Sequence, residues 1–97
     1  MNVGVCRVEL RLPENQSLKG KRRVIRSIVT RLRNKYNVSV AEVGNQGLWQ
    51  LATLGITCVT CQRRHADEVL SNVVGFIVQG YPDLELLGSE IEISPAF

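Results

Sequence analysis

VGVCRVELRLPENQSLKGKRRVIRSIVTRLRNKY, residues 3–36, changes its hydrophobic period partway along, and that change decides the fold. Up to Leu12 the period is two. Gly4, Cys6, Val8, Leu10 and Leu12 share one face, and Val5, Arg7, Glu9 and Arg11 the other, which predicts a half-buried strand ending at Pro13. Beyond Ser17 the period lengthens. Leu18, Val24, Ile25, Ile28, Val29, Leu32 and Tyr36 recur at helical spacing, which predicts a helix from Leu18 to Tyr36 with Asn37 as its stop. The Ser17 hydroxyl is placed to accept from a backbone N–H of the first turn.

Working outward, Val38–Val43 reads as a second strand closed by the turn residues Gly44-Asn45-Gln46-Gly47. A third strand runs from Ala52 to Thr60, with Leu54, Ile56 and Cys58 inward and Thr53, Gly55, Thr57 and Val59 outward. A second helix follows over Arg63–Gln79, burying Ala66, Val69, Leu70, Val73, Val74 and Ile77. Gly80 and Pro82 end it. The last strand lies in Leu86–Ile93, and its change of parity near Gly88 suggests a bulge or a late strand start. The order strand, helix, strand, strand, helix, strand predicts a single α+β domain over residues 1–97. It is ferredoxin-like βαββαβ, a four-stranded antiparallel sheet with two helices on one face. The first and last strands are then neighbours, so Arg7, Glu9 and Arg11 face Glu90 and Glu92 across the uncovered side.

Ninety-seven residues with 44% hydrophobic content suffice for one core. No apolar run approaches the ~20 residues of a membrane span, and the N-terminal residues lack the pattern of a signal peptide. The expectation is a cytoplasmic protein whose Cys6, Cys58 and Cys61 are reduced thiols. The net charge of +3 conceals a separation. Eight basic residues and no acid lie between Asn15 and Ala41, whereas Asp67, Glu68, Asp83, Glu85, Glu90 and Glu92 occupy the last third without a Lys or Arg.

At 100° per residue from Leu18, the residues Lys19, Arg22, Arg23, Arg26 and Arg33 fall within about a 100° arc beside the apolar one. Lys19, Lys21, Arg22 and Arg23 also crowd the helix start, where the macrodipole is already positive and each exposed cation costs ~0.3–1 kcal/mol. Sequences break local rules of this kind at functional sites, and a helix start ringed with cations suits anions. Lys19, Lys21, Arg22, Arg23, Arg26 and Arg33 are therefore the candidate nucleic-acid-binding residues, with RNA the expected partner. The plainer reading is a solvated face, or one that meets the acidic C-terminal half of another subunit. The alternative function is a homodimeric structural or regulatory protein-interaction module that uses its open sheet face, with Val5 and Val59, or its acidic C-terminal half.

Other motifs weigh less. The outward strand positions carry no aromatic residue, so base stacking on the sheet is not expected. Trp49 is a candidate contact for a base or a partner. Alternatively it folds back with Leu48 and Leu51 to close the core. Cys58, Cys61 and His65, with Cys6 on the neighbouring strand, have ligand chemistry suited to Zn²⁺, but strand parity turns Cys58 and Cys61 apart. No metal or other cofactor is expected. His65 has no acid–nucleophile partners, and the loop Pro13–Ser17 lacks the arginine with which acylphosphatases of this fold hold phosphate, so no catalytic residue is assigned.

The strand Val3–Leu12, the run Ser17-Leu18-Lys19-Gly20-Lys21-Arg22-Arg23, the run Asn37-Val38-Ser39-Val40-Ala41-Glu42-Val43, and Trp49 with Ala52, Leu54 and Gly55 together resemble the YlxP-like family of small bacterial proteins. The resemblance covers nearly the whole chain. It implies a ferredoxin-like fold and, because the family's genes lie among those for transcription elongation, translation initiation and ribosome maturation factors, a translation-linked role. The position of Gly20 tends to be acidic in that family. Here the reciprocal capping contact from that side chain is absent.

Overall fold

The computed structural model describes residues 1–97. Six elements follow in the expected order: β1 (Asn2–Arg11), α1 (Leu18–Lys35), β2 (Ser39–Gly44), β3 (Leu51–Thr60), α2 (Arg63–Gly80) and β4 (Glu85–Pro95). The strands form one antiparallel sheet in the order β2-β3-β1-β4, so β1 and β3 are central and each βαβ unit is split by a strand. Both helices cover the same face. The fold is the ferredoxin-like one that the change of period predicts.

Alternation fixes the register. Cys6, Val8 and Leu10 of β1 and Leu54, Ile56 and Cys58 of β3 are buried beneath Ile25, Ile28 and Leu32 of α1 and Ala66, Leu70, Val73 and Ile77 of α2. Helix α2 approaches β1 closely at Gly4, where a Cβ would stand 2.8 Å from Leu70 Cδ1 and 3.3 Å from Ala66 Cβ. The parity change in β4 is a bulge. Gly88 pairs with Glu9 and Leu86 with Leu10, leaving Leu87 unpaired and exposed. On the uncovered face Arg7 pairs with Glu90 and Arg11 with Glu85, each at 2.5 Å. Glu92, expected among these pairs, lies opposite Val5 instead.

The most unusual core residue is Lys21, which is only 1% exposed. It falls on the buried stripe of α1 with Ile25, Ile28 and Leu32. Its ammonium donates to the carbonyls of Asn45 at 2.5 Å and Leu48 at 2.8 Å, both in the β2–β3 loop. Glu42 Oε2 lies 2.8 Å away but accepts no well-angled hydrogen bond, so that contact is an ion pair. Glu42 points under the helix because it shares strand parity with Val40, opposite the inward Leu54. A buried ammonium without such partners would cost several kcal/mol.

Replacing Lys21 with Met leaves Glu42 and two carbonyls uncompensated and lowers stability by about 3 kcal/mol in urea unfolding, whereas Glu42→Gln costs less because both carbonyl bonds survive. Burial pushes the Cys6 thiol from its ordinary 9.0 up to about 11. It raises Cys58 as well, less a counteracting hydrogen bond with the Gly4 backbone. A raised thiol favours the folded protein fully below pH 9, and that stability is lost as the pH climbs through about 11. The melting temperature of Cys6→Ala should accordingly fall less steeply between those pH values than that of the parent. Thiol titration should find only the exposed Cys61 reactive in the native state and all three cysteines in denaturant.

Candidate nucleic-acid interface

Helix α1 begins where Ser17 Oγ accepts from the Gly20 N–H at 2.9 Å, and its first turn contains no acid. Gly20 leaves room for Asn15. A Cβ there would stand 2.4 Å from Asn15 Oδ1, and the Asn15 amide bridges the Ser17 carbonyl at 2.7 Å and the Trp49 carbonyl at 2.6 Å. Glycine at this position thus exchanges an acidic side chain's capping contact for a link between two loops.

The six basic candidates divide into three groups. Lys19, Arg22, Arg23 and Arg26 are exposed, at spacings of three and four residues that align them along one face. Arg33 is exposed too, but its guanidinium donates to the Val40 carbonyl at 3.2 Å on the outer edge of β2. Lys21 is no part of the surface. Its place at the centre of the apolar stripe and its ties to Asn45, Leu48 and Glu42 remove it from any contact with a ligand.

The chain's other cations are engaged. Arg7, Arg11 and Arg64 pair with Glu90, Glu85 and Glu68. Arg63 donates to the Ile93 carbonyl at 2.8 Å. Arg31 lies over the rings of Phe76 and Tyr81 at 4.9 and 5.1 Å, and Lys35 lies over Phe76 at 4.9 Å, where they help to hold α1 against α2. Of the twelve Lys and Arg, four have neither a carboxylate, a hydrogen-bond acceptor nor a ring: Lys19, Arg22, Arg23 and Arg26.

Trp49 does not close the core. Trp49 is 53% exposed and Leu48 49%, and both border a shallow depression of about 420 Å³ completed by Gly47, Gln50 and Leu51. Only Leu51 and the strand beyond it turn inward. Sequence alone missed this because an irregular loop has no parity from which to read exposure.

At the opposite end of the sheet, Cys58, Cys61 and His65 border a cleft with Lys35 and Tyr36. Cys58 is buried and Cys61 exposed, and no group of three or more His, Cys, Asp or Glu side chains is placed to hold a metal ion. No helix is long and apolar enough to cross a membrane.

Comparisons with known proteins agree with this architecture. The ferredoxin-like likeness extends to a C-terminal segment of the alpha subunit of aIF2 from Pyrococcus abyssi, at a TM-score of 0.53 and 14% identity over 98% of this chain and 51% of that one. A dimeric ferredoxin-like protein from an uncultured marine organism superposes at a TM-score of 0.52 with 5% identity, over 100% of this chain and 99% of its own. At such identities the likeness is one of fold alone. In sequence, the chain is 37% identical over 83 residues to the uncharacterized protein YlxP of Bacillus subtilis (strain 168), covering 86% of this chain and 89% of that protein. The model of the family described as "Protein of unknown function (DUF503)" matches residues 3–91, and the chain belongs to that family.

Proposed function

We propose that this protein binds RNA through the phosphate backbone, using the exposed face of α1, and that it acts as a non-catalytic accessory factor in translation or ribosome maturation. The observation that carries the reading is the division of the cations. A protein that used its arginines only for solubility or packing would have no reason to leave one cluster uncompensated while partnering every other. Lys19, Arg22, Arg23 and Arg26 span about 10 Å of helix at ~1.5 Å per residue, without an intervening acid. Placed near the positive end of α1, they repel one another and the dipole, a cost that a polyanion relieves. Arg contributes a planar fork that engages two phosphate oxygens at once. Arg33, further along the helix, adds charge at the margin.

The uncovered sheet face favours a second reading, a homodimer. Val5, Val43 and Val59 are exposed there, with Val43 packed over Gly55 at 3.0 Å from where its Cβ would be. They make an apolar half beside the Arg7–Glu90 and Arg11–Glu85 pairs. Such a dimer would leave α1 free on both copies.

RNA binding should weaken steeply with salt, with a slope of log affinity against log salt near −3 if four phosphates are neutralised at about −0.7 each. Reversing Arg22, Arg23 and Arg26 to Glu should abolish retention at low salt while urea unfolding stays close to that of the parent. Binding by this variant with an unchanged slope would remove α1 from the interface. For the sheet face, sedimentation should show a dimer that Val59→Lys converts to monomer. A parent that remains monomeric at high concentration would exclude the second reading.

A further inference from the structure

Three consecutive carbonyls of the β2–β3 loop are held from the same side. Leu48 O accepts from Lys21 Nζ at 2.8 Å, Trp49 O from the Asn15 amide at 2.6 Å and Gln50 O from the Leu12 N–H at 2.8 Å. Asn45 at the loop's start has a left-handed φ of 60°, and its amide donates to Thr53 Oγ1 at 2.9 Å. The loop is therefore fixed on both flanks, yet it leaves Trp49 exposed. An aromatic ring held on a rigid backbone loses little conformational freedom on binding.

The donors that fix the loop also set its neighbourhood. Lys21 precedes Arg22 in the chain, and Asn15 joins Trp49 to the Ser17 cap two residues before Lys19. The loop that carries the exposed ring is thus tied to the N-terminal end of α1, where the run of unpartnered cations begins with Lys19, Arg22 and Arg23 and continues to Arg26 at mid-helix. The amides around the ring are spent on the protein itself: Gln50 donates to the Pro13 and Asn15 carbonyls, and Gln46 to the Glu42 carbonyl. These donors, with the Asn15 amide on the Trp49 carbonyl, are not free to read a base edge.

We infer that Trp49 is a stacking platform for one unpaired base, so that the ligand of this surface is single-stranded RNA, held by phosphate contacts to α1 and a sequence-tolerant stack on the indole. This rests on the phosphate-binding reading above and narrows it. An apolar peptide would match Leu48 and Trp49 but leave the adjacent cations without counter-charge, whereas a single-stranded polyanion meets both. In a duplex the base faces are occupied by one another and cannot reach the ring.

Trp49 is the only tryptophan, so its fluorescence reports on this site alone. The full chain is titrated at low salt with oligouridylate, oligoadenylate, an RNA duplex and inorganic polyphosphate, with affinity measured independently by polarisation or competition. Both single strands should quench the indole, whereas polyphosphate should bind without quenching. Trp49→Ala should weaken single-strand binding about tenfold, leave polyphosphate affinity unchanged, and be largely rescued by Trp49→Phe. If RNA binds without quenching and Trp49→Ala binds it as tightly as the parent, the stacking inference falls while the phosphate-binding reading stands. Preferential quenching by the duplex would overturn the single-strand assignment. If neither RNA nor polyphosphate binds at low salt, the phosphate-binding reading falls and the stacking inference with it.

Discussion

The structure turns on a single buried ammonium. Lys21 is a charged residue in the position of a core aliphatic, and a charge there is tolerated only where acceptors converge on it. Its acceptors come from β2, through Glu42, and from the loop that follows, through the Asn45 and Leu48 carbonyls. One side chain therefore sets where α1 begins relative to the strand beneath it and how the loop lies against the helix. A hydrophobic residue would fill the same volume without specifying any of these distances. Buried ionic groups of this kind confer geometric definition more readily than net stability.

That definition matters because the surrounding cations have different roles. Arg31 and Lys35 face α2 and rest on Phe76, Tyr81 and Tyr36, so their charge is absorbed by ring faces. Arg7 and Arg11 lock β1 to β4. What remains unabsorbed is confined to the N-terminal half of α1, from Lys19 to Arg26. The +3 net charge therefore understates the local field, because acids elsewhere neutralise only the cations they touch.

The strands and helices were legible in the sequence to within about two residues at their ends, because β1 and β3 alternate cleanly and both helices keep a continuous apolar stripe. The bulge at Leu87 was legible too, since an extra residue leaves a parity error in the inward pattern. The roles of the cations were only partly legible. The wheel angle of Lys21, about 300° from Leu18 at 100° per residue, placed it among Ile25, Ile28 and Leu32, and Glu42 shared the parity of Val40. Two opposite charges on the buried stripes of successive elements are the signature of an internal ion pair, but within a run of basic residues Lys21 looked like its neighbours. The exposure of Trp49 had no comparable signal. It depends on hydrogen bonds from Asn15, Lys21 and Leu12, residues far from it in the chain.

The two rims of the sheet have a consequence of their own. An open sheet presents two rows of unpaired backbone groups, each a template on which another chain could add a strand and begin a fibril. On one side, β2 is short, is interrupted at Val43 and has its Val40 carbonyl occupied by Arg33. On the other, β4 is broken by Leu87, carries Glu85, Glu90 and Glu92, and ends at Pro95. Stacking copies along β4 would bring glutamates together, and stacking along β2 would first have to displace a guanidinium. A small domain with an uncovered face thus resists runaway strand addition at both borders, and its apolar surface is left to discrete, saturable contacts.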